Sequence, residues 1–314
     1  MKKDYVAEIR ENDLVQGAFL VTEKNLSTSR SGSRYLRLKL SDRTGEIEAR
    51  IWEGVEERGR LFQKGDLVAI KAEAVSYQGR LQLNILELRP CSEAEVDMED
   101  FIPPARRPPE EMLEELQGLA RRIEDPFLRR LVFSFLRDDS FLEDFLRVPA
   151  SKRLHHARHG GLIEHTLSVA RLVERLRGHY PGVDWDLLLA GAILHDVGKV
   201  RELKHGMQFE YTSQGRLLGH VVMGVEMVAE RIASIEGFPE ERAMLLKHLI
   251  LSHHGRYEWG APRRPKTVEA ELLHHLDDLD AKVEGILDAL GRSEGAWTEY
   301  HRAFERPFYR GDKG

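Results

Sequence analysis

Residues 187–199 read Leu-Leu-Leu-Ala-Gly-Ala-Ile-Leu-His-Asp-Val-Gly-Lys. The run from Leu187 to Leu194 reads as an apolar helix, which can hold its end rigid. His195 and Asp196 close that run, and a glycine follows two residues later. A rigid apolar helix that ends in this way can aim two ligand-type side chains into a shared cavity. Similar residues lie on either side: His165 upstream in GGLIEHT, then His220, the pair His253-His254, and Asp277 in HHLDDLDAK. Each sits in a stretch of helical periodicity. Among 14 histidines one His-Asp pair would carry little weight. Five separated patches supply enough nitrogen and carboxylate ligands for two divalent metals.

Around this centre the pattern is helical, over about 110–123, 126–137, 139–147, 162–179, 185–195, 214–234, 239–254 and 267–290, with glycine or proline punctuation between many of the segments. The first 90 residues read differently. Short alternating stretches at 14–22, 35–41, 45–52, 66–75 and 81–88 predict five strands, clearest in Glu46-Ile47-Glu48-Ala49-Arg50-Ile51, with a short helix between Glu53 and Phe62. Five strands with a helix after the third is the element order of an OB-fold barrel. From Pro90 to Pro109 the chain is acidic and then proline-rich, as a semi-rigid linker is. The expected fold is therefore multidomain, β followed by all-α: a five-stranded OB-fold barrel over 1–90, a linker over 91–109, and an all-helical metal-dependent domain over 110–314. Trp297, Tyr300, Phe304 and Phe308 recur at helical spacing. That stripe is expected to pack on the domain or on a second subunit, which leaves a homo-oligomer open.

The ligand types predict the chemistry. Asp277 can close a first metal with His165, His195 and Asp196. His220, His253 and His254 then remain for a second, with Asp196 as the bridge. Imidazole and carboxylate together suit Mn, Fe, Co, Ni or Zn better than Ca, and Mg also stays open. Two such ions about 3.5–4 Å apart can hold a water, lower its pKa to near neutrality and direct it at phosphorus. Lys199 can neutralise charge on the phosphoryl oxygens. Arg256, Arg263, Arg264 and Lys266 crowd the loop after His253-His254, where guanidinium groups can bind phosphate; a solvated charge run is the plainer alternative. His156 is read as a substrate contact, and His274 and His275 as structural.

Bulk composition narrows the setting. The net charge of -6 argues against a uniformly basic nucleic-acid binder. It hides an asymmetry: residues 1–90 carry 16 Lys and Arg against 14 Asp and Glu, and the remainder 31 against 39. Within 24–50 lie seven basic side chains against three acidic ones, a modest patch that could equally be a solvated strand face. No apolar run reaches the roughly 20 residues that span a bilayer, so no membrane partner is expected. The N-terminus has acidic residues where a signal peptide needs an apolar stretch. The single cysteine, Cys91, cannot form an internal disulfide, and a reducing cytoplasm is the expected compartment.

The order His…His-Asp…Asp resembles the HD superfamily of metal-dependent phosphohydrolases. More specifically, HHARHGGLIEHT, AGAILHDVGK, LLGHVVMG, HLILSHHGRYEWGAPRRPKTVEA and LHHLDDLDAK, placed after an OB-fold, resemble the YhaM-type 3′-to-5′ exoribonucleases. The resemblance implies Mn²⁺-type dependence and single-stranded RNA or DNA shortened from its 3′ end. It also implies His165, His195, Asp196, His220, His253, His254 and Asp277 as ligands of two divalent ions. The barrel would then track a strand with Arg34, Arg37, Lys39 and Arg50 and stack bases on Tyr35, Trp52 or Tyr77, unless those aromatics fill the barrel core. Two alternatives stand beside this reading. One is a phosphodiesterase or phosphohydrolase of small nucleotides with a regulatory OB-fold. The other is a nucleic-acid-binding protein with an inactive HD domain, against which the unbroken ligand set counts.

Overall fold

The computed structural model describes residues 4–29, 32–97, 100–101, 107–150, 160–204, 210–291, 293, 295–301 and 303–311. Its N-terminal unit is a closed barrel of β1 (Leu14–Thr28), β2 (Arg34–Asp42), β3 (Gly45–Ile51), β4 (Leu67–Tyr77) and β5 (Arg80–Cys91), ordered β1-β2-β3-β5-β4 and closed by β1 pairing with β4. Among the described residues only β3 and β5 pair in parallel. The short helix α1 (Val55–Arg60) joins β3 to β4, as the element order predicts. Period-two alternation decides what each strand buries. In β2, Leu36, Leu38 and Leu40 enter the core while Tyr35, Arg37 and Lys39 take the other face. Lys24 donates to the carbonyls of Gly59 and Phe62 at 2.5 and 2.6 Å, so one member of the basic patch anchors the segment around α1.

The start of the expected linker adheres to the barrel. Phe101 is buried with Ala18 and Leu67, and the Tyr5 hydroxyl donates to Asp100. An aromatic residue amid the acidic run supplies the apolar contact that composition alone does not suggest.

The second unit is helical: α2 (Pro109–Ala120), α3 (Pro126–Leu136), α4 (Asp139–Phe145), α5 (Gly161–Leu176), α6 (Trp185–Leu194), α7 (Lys199–Glu202), α8 (Ser213–Ala233), α9 (Glu240–Ser252) and α10 (Val268–Gly291). Side-chain caps set several starts: Asp125, Asp138, Asp184 and Thr212 accept backbone N–H groups at the heads of α3, α4, α6 and α8. α6 is the central helix, with every residue from Leu187 to Leu194 buried, and it packs against α2, α3, α5, α9 and α10. Each large apolar side chain buried there contributes about 1.5–3 kcal/mol, which fixes the end of α6 in place. α7 and the ribbon of β6 (Leu203–Lys204) with β7 (Glu210–Tyr211) follow it.

Two sequence expectations change here. α8 is not continuous: Gly219 has φ 74° and ψ 156°, breaking the helix directly before His220. The aromatic tail is not helical either. Trp297 bridges to Tyr309 and His301 to Arg306 in antiparallel fashion, leaving Trp297 and Tyr300 exposed. Among the described residues, no helix is long and apolar enough to cross a membrane.

Candidate metal centre

Five elements converge on one buried cluster. α5 presents His165, the end of α6 presents His195 and Asp196, the restart of α8 presents His220, the end of α9 presents His253 and His254, and α10 presents Asp277. Their ligand atoms fall into two groups: His165, His195 and Asp277 in one, and His220, His253 and His254 in the other. In the first, the His165 Nε2 lies 3.0 Å from Asp277 Oδ1 and 3.3 Å from His195 Nε2. Asp196 stands between the groups and turns one oxygen to each. Its Oδ2 is 3.4 Å from His195 Nε2 and 3.7 Å from His165 Nε2. Its Oδ1 is 3.4 Å from His220 Nε2 and 3.7 Å from His253 Nε2.

Backbone geometry explains how these side chains are aimed. His195 and His253 each follow the last residue of a helix, where backbone carbonyls lack intrahelical donors. The Nδ1–H of His195 donates to Ala192 O at 2.8 Å and that of His253 to Ile250 O at 2.7 Å. The same device thus turns Nε2 inward twice, and both helix C-termini carry the partial negative charge that favours a cation. Carboxylates hold two further rings: Asp280 accepts from His165 Nδ1 at 2.7 Å, and Glu202 accepts from both the backbone N–H and Nδ1 of His220, at 2.9 and 3.1 Å. Ser168 donates its hydroxyl to Asp280. Such outer partners fix the tautomer and orientation of a ligating imidazole. The glycine of His-Asp-Val-Gly-Lys allows the close approach of α8. A methyl group at Gly198 would lie 2.6 Å from the amide nitrogen of Gly224 and nearer still to the carbonyl oxygen of His220.

The electrostatics follow from this crowding of carboxylates and imidazoles. Burial pushes the Asp196 and Asp277 carboxyls up, but the Lys199 ammonium and the imidazoles around them more than offset it. Lys199 and His195 hold Asp196, and His165 and His195 hold Asp277, well below the usual carboxylate range. Burial pushes His165 down, yet Asp277 and Asp280 outweigh it and raise the imidazole to about 10. Burial and the neighbouring imidazoles lower His253 and bring His254 down to about 4, so both are neutral near pH 7, the form that ligates metals.

The residues fit a divalent metal on an independent ground. Asp196 Oδ1, His220 Nε2, His253 Nε2 and His254 Nδ1 are all buried and make no hydrogen bond. Buried polar atoms without partners are costly and rare. Four at one point, all of ligand type, form a site shaped for a cation.

Other expected site residues are placed as follows. The Lys199 ammonium pairs with Asp196 Oδ2 at 2.5 Å, so it sits against the central carboxylate. Arg256 and Arg264 line one cavity of about 340 Å³ with Tyr257, Glu258 and Trp259. Arg263 and Lys266 pin that loop to α9 through their backbone N–H groups, on Leu251 O and His248 Nε2. His274, read as structural, donates Nδ1 to His253 O at 2.9 Å, while His275 is exposed beside Glu271. His156 lies outside the described residues. Asp280 and Glu202 were not singled out in the sequence. Asp280 stands one helical turn after Asp277, a spacing that puts both carboxylates on one face of α10.

On the barrel, Tyr35 and Trp52 stack at 4.6 Å, and the Arg50 guanidinium lies over Tyr35, Trp52 and Tyr77. Trp52 and Tyr77 are 42% and 47% exposed, so neither fills the core. Arg34, Arg37 and Lys39 share this unit's surface but pair with Glu56, Glu48 and Glu46. The patch is therefore less positive than its basic residues alone suggest.

Comparison with known proteins agrees with both units. Residues 162–282 match the HD domain family, and residues 20–90 match a family described as an OB-fold nucleic acid binding domain. The second OB-fold domain of replication protein A from Methanococcus maripaludis is 17% identical, covering 30% of this chain and 97% of that one at a TM-score of 0.24. The mitochondrial single-stranded DNA binding protein Rim1 of S. cerevisiae is 20% identical, covering 26% and 96% at a TM-score of 0.22. Along nearly its whole length the chain is 37% identical to the 3′-5′ exoribonuclease YhaM of Shouchella clausii (strain KSM-K16), over 304 residues, 96% of this chain and 94% of that one. An OB-fold unit, an HD unit and a full-length relative at this identity place the chain in the YhaM family.

Proposed function

We propose that this chain is a metal-dependent exoribonuclease that shortens single-stranded RNA, and DNA of the same form, from the 3′ end. The observation that carries the reading is Asp196, with one buried carboxylate oxygen toward each of two ligand groups. His165, His195 and Asp277 would hold one divalent ion, His220, His253 and His254 the other, with Asp196 shared. Imidazoles with carboxylates suit Mn, Fe, Co, Ni or Zn, and among these the family resemblance points to Mn²⁺. Such a pair supplies Lewis acidity and a nucleophile at neutral pH.

The rest falls to the protein. Asp280, Glu202 and the carbonyls of Ala192 and Ile250 keep the imidazoles aimed. Lys199, beside Asp196, balances the carboxylate and lies within reach of phosphoryl charge. Arg256 and Arg264 offer donors to the strand's phosphates. Hydrolysis adds water across the phosphodiester: the bond from phosphorus to the 3′ oxygen breaks, the shortened strand keeps that oxygen as a hydroxyl, and a nucleoside 5′-monophosphate leaves. On the barrel, Arg50 with Tyr35, Trp52 and Tyr77 would supply a sequence-tolerant stacking platform. A cytoplasmic setting, supported by Cys91 as the only cysteine, completes the reading.

A 5′-labelled single-stranded RNA given to the Mn²⁺-loaded protein tests this. The expected result is a descending ladder with mononucleotides released. Immediate release of a labelled 5′ mononucleotide, or cleavage of a circular RNA, contradicts it.

A further inference from the structure

The loop after His253-His254 carries two large aromatic side chains that the ligand groups do not use. Tyr257 is 59% exposed and Trp259 45% exposed, within a short turn bracketed by Gly255 and Gly260, both at positive φ. The loop is tightly held. Arg256 N–H donates to His254 O at 2.9 Å, Ala261 N–H donates to Arg256 O at 3.1 Å, and Ala261 is buried. The Trp259 ring lies 5.9 Å from His274, which bonds the carbonyl of His253. The Arg256 guanidinium stands over the indole at 4.8 Å and the Lys282 ammonium at 5.5 Å. An aromatic ring that served only to anchor the loop would be covered. Instead it borders a cavity of about 340 Å³ with Arg256, Tyr257 and Arg264, a volume within the range of small-ligand sites.

We propose that this cavity is the subsite for the nucleoside at the strand's 3′ end, its base stacked against the pair formed by Trp259 and the Arg256 guanidinium that lies over it. Arg264 then faces the sugar-phosphate. The inference rests on the exonuclease reading and assigns that reaction its terminal-base contact. Stacking suits the task, because every base has a π-face, whereas a hydrogen-bonding pocket would select one base and stall at the others. Arginine planes and indoles both stack unpaired bases. Rigid connection through Arg256 and His274 ties the subsite to His253 and His254, so a base seated there fixes where the adjoining phosphate lies.

Two measurements on the full chain test this. The first is equilibrium binding, in the presence of chelator, of a single-stranded RNA ending in 2-aminopurine, whose fluorescence falls on stacking. The second is kcat/KM of the Mn²⁺-loaded protein on strands that end either in a normal nucleotide or in an abasic one. We expect quenching by the wild type that Trp259→Ala loses and Trp259→Phe largely keeps. Loss of the terminal base should lower kcat/KM of the wild type by about 5- to 100-fold, and Trp259→Ala should show little dependence on that base. Equal rates on both strands in the wild type, which need no variant, would overturn the subsite while leaving the exonuclease reading standing. If the wild type does not shorten the normal strand from its 3′ end, the exonuclease reading fails and the subsite falls with it.

Discussion

Replacing Gly198 by alanine puts the account under direct strain. The added methyl would sit 2.6 Å from Gly224 N and 2.9 Å from the carbonyl carbon of His220, on backbone that cannot rotate away. The His220 carbonyl oxygen would be nearer still, and comfortable contacts of this kind begin near ~3.5 Å, so α8 must retreat from the end of α6 by more than about 1 Å. His220 and Asp196 ride on the two sides of that contact, and their 3.4 Å approach opens accordingly. Overpacking of this size costs about 1–3 kcal/mol, which a domain with this core survives. Misplacement of a reacting geometry by ~1 Å costs on the order of 100-fold in rate. We therefore expect Gly198→Ala to fold, to keep one Mn²⁺ site, to lose most affinity at the group of His220, His253 and His254, and to drop in kcat by about 100-fold. Calorimetric Mn²⁺ titration beside single-turnover cleavage reads both effects. Unchanged stoichiometry, affinity and rate would refute the claim that this backbone contact sets the position of His220.

Asp280→Ala should weaken one ion by about 10- to 100-fold while sparing the other, because Asp280 orients His165, a ligand of the first group; equal weakening of both in the titration would count against separate groups. Asp138→Ala removes the cap of α4 and a partner of Arg231, for a loss of about 1–2 kcal/mol in denaturant unfolding near neutral pH. Ser140 and Arg231 hold the Asp138 carboxyl down to about 2, so the capping contribution is full above the unfolded value and fades as pH falls from about 4 toward 2. A gap between wild type and variant as wide at pH 3 as at pH 7 would contradict that cause. Arg50→Ala should weaken binding of a long single-stranded oligonucleotide without slowing hydrolysis of a generic phosphodiester, and should reduce the salt slope by about 0.7 if Arg50 meets a phosphate. Unaltered affinity and slope would remove the barrel's aromatic cluster from strand binding.

Much of this architecture is legible in the residues. Alternation in 46–51 matches β3, and the helical segments of the second unit fall within a few residues of their observed bounds, because apolar periodicity is long there. The approach of Leu36, Leu38 and Leu40 to the barrel core already implies that Tyr35 lies on the opposite face. What was not legible has physical causes. Helical periodicity runs through Gly219 without registering the φ of 74° that breaks α8. The stripe from Trp297 to Phe308 keeps helical spacing, yet its chain turns back on itself. α7 and the β6–β7 ribbon are too short to leave a period. At the metal centre, ligand-type side chains announce themselves, but the groups that aim two of them are backbone carbonyls of Ala192 and Ile250, which carry no side-chain signal. The pairing of Arg34, Arg37 and Lys39 with glutamates depends on cross-strand and helix contacts that composition does not reveal.

The central claim is that Asp196 joins two ligand groups into one dinuclear centre. Electron paramagnetic resonance of the protein titrated with Mn²⁺ measures it most directly. A second equivalent of Mn²⁺ should give the spectrum of a magnetically coupled pair, lost in Asp196→Ala. A spectrum of isolated Mn²⁺ ions at every loading of the wild type, with strand cleavage intact, would contradict it.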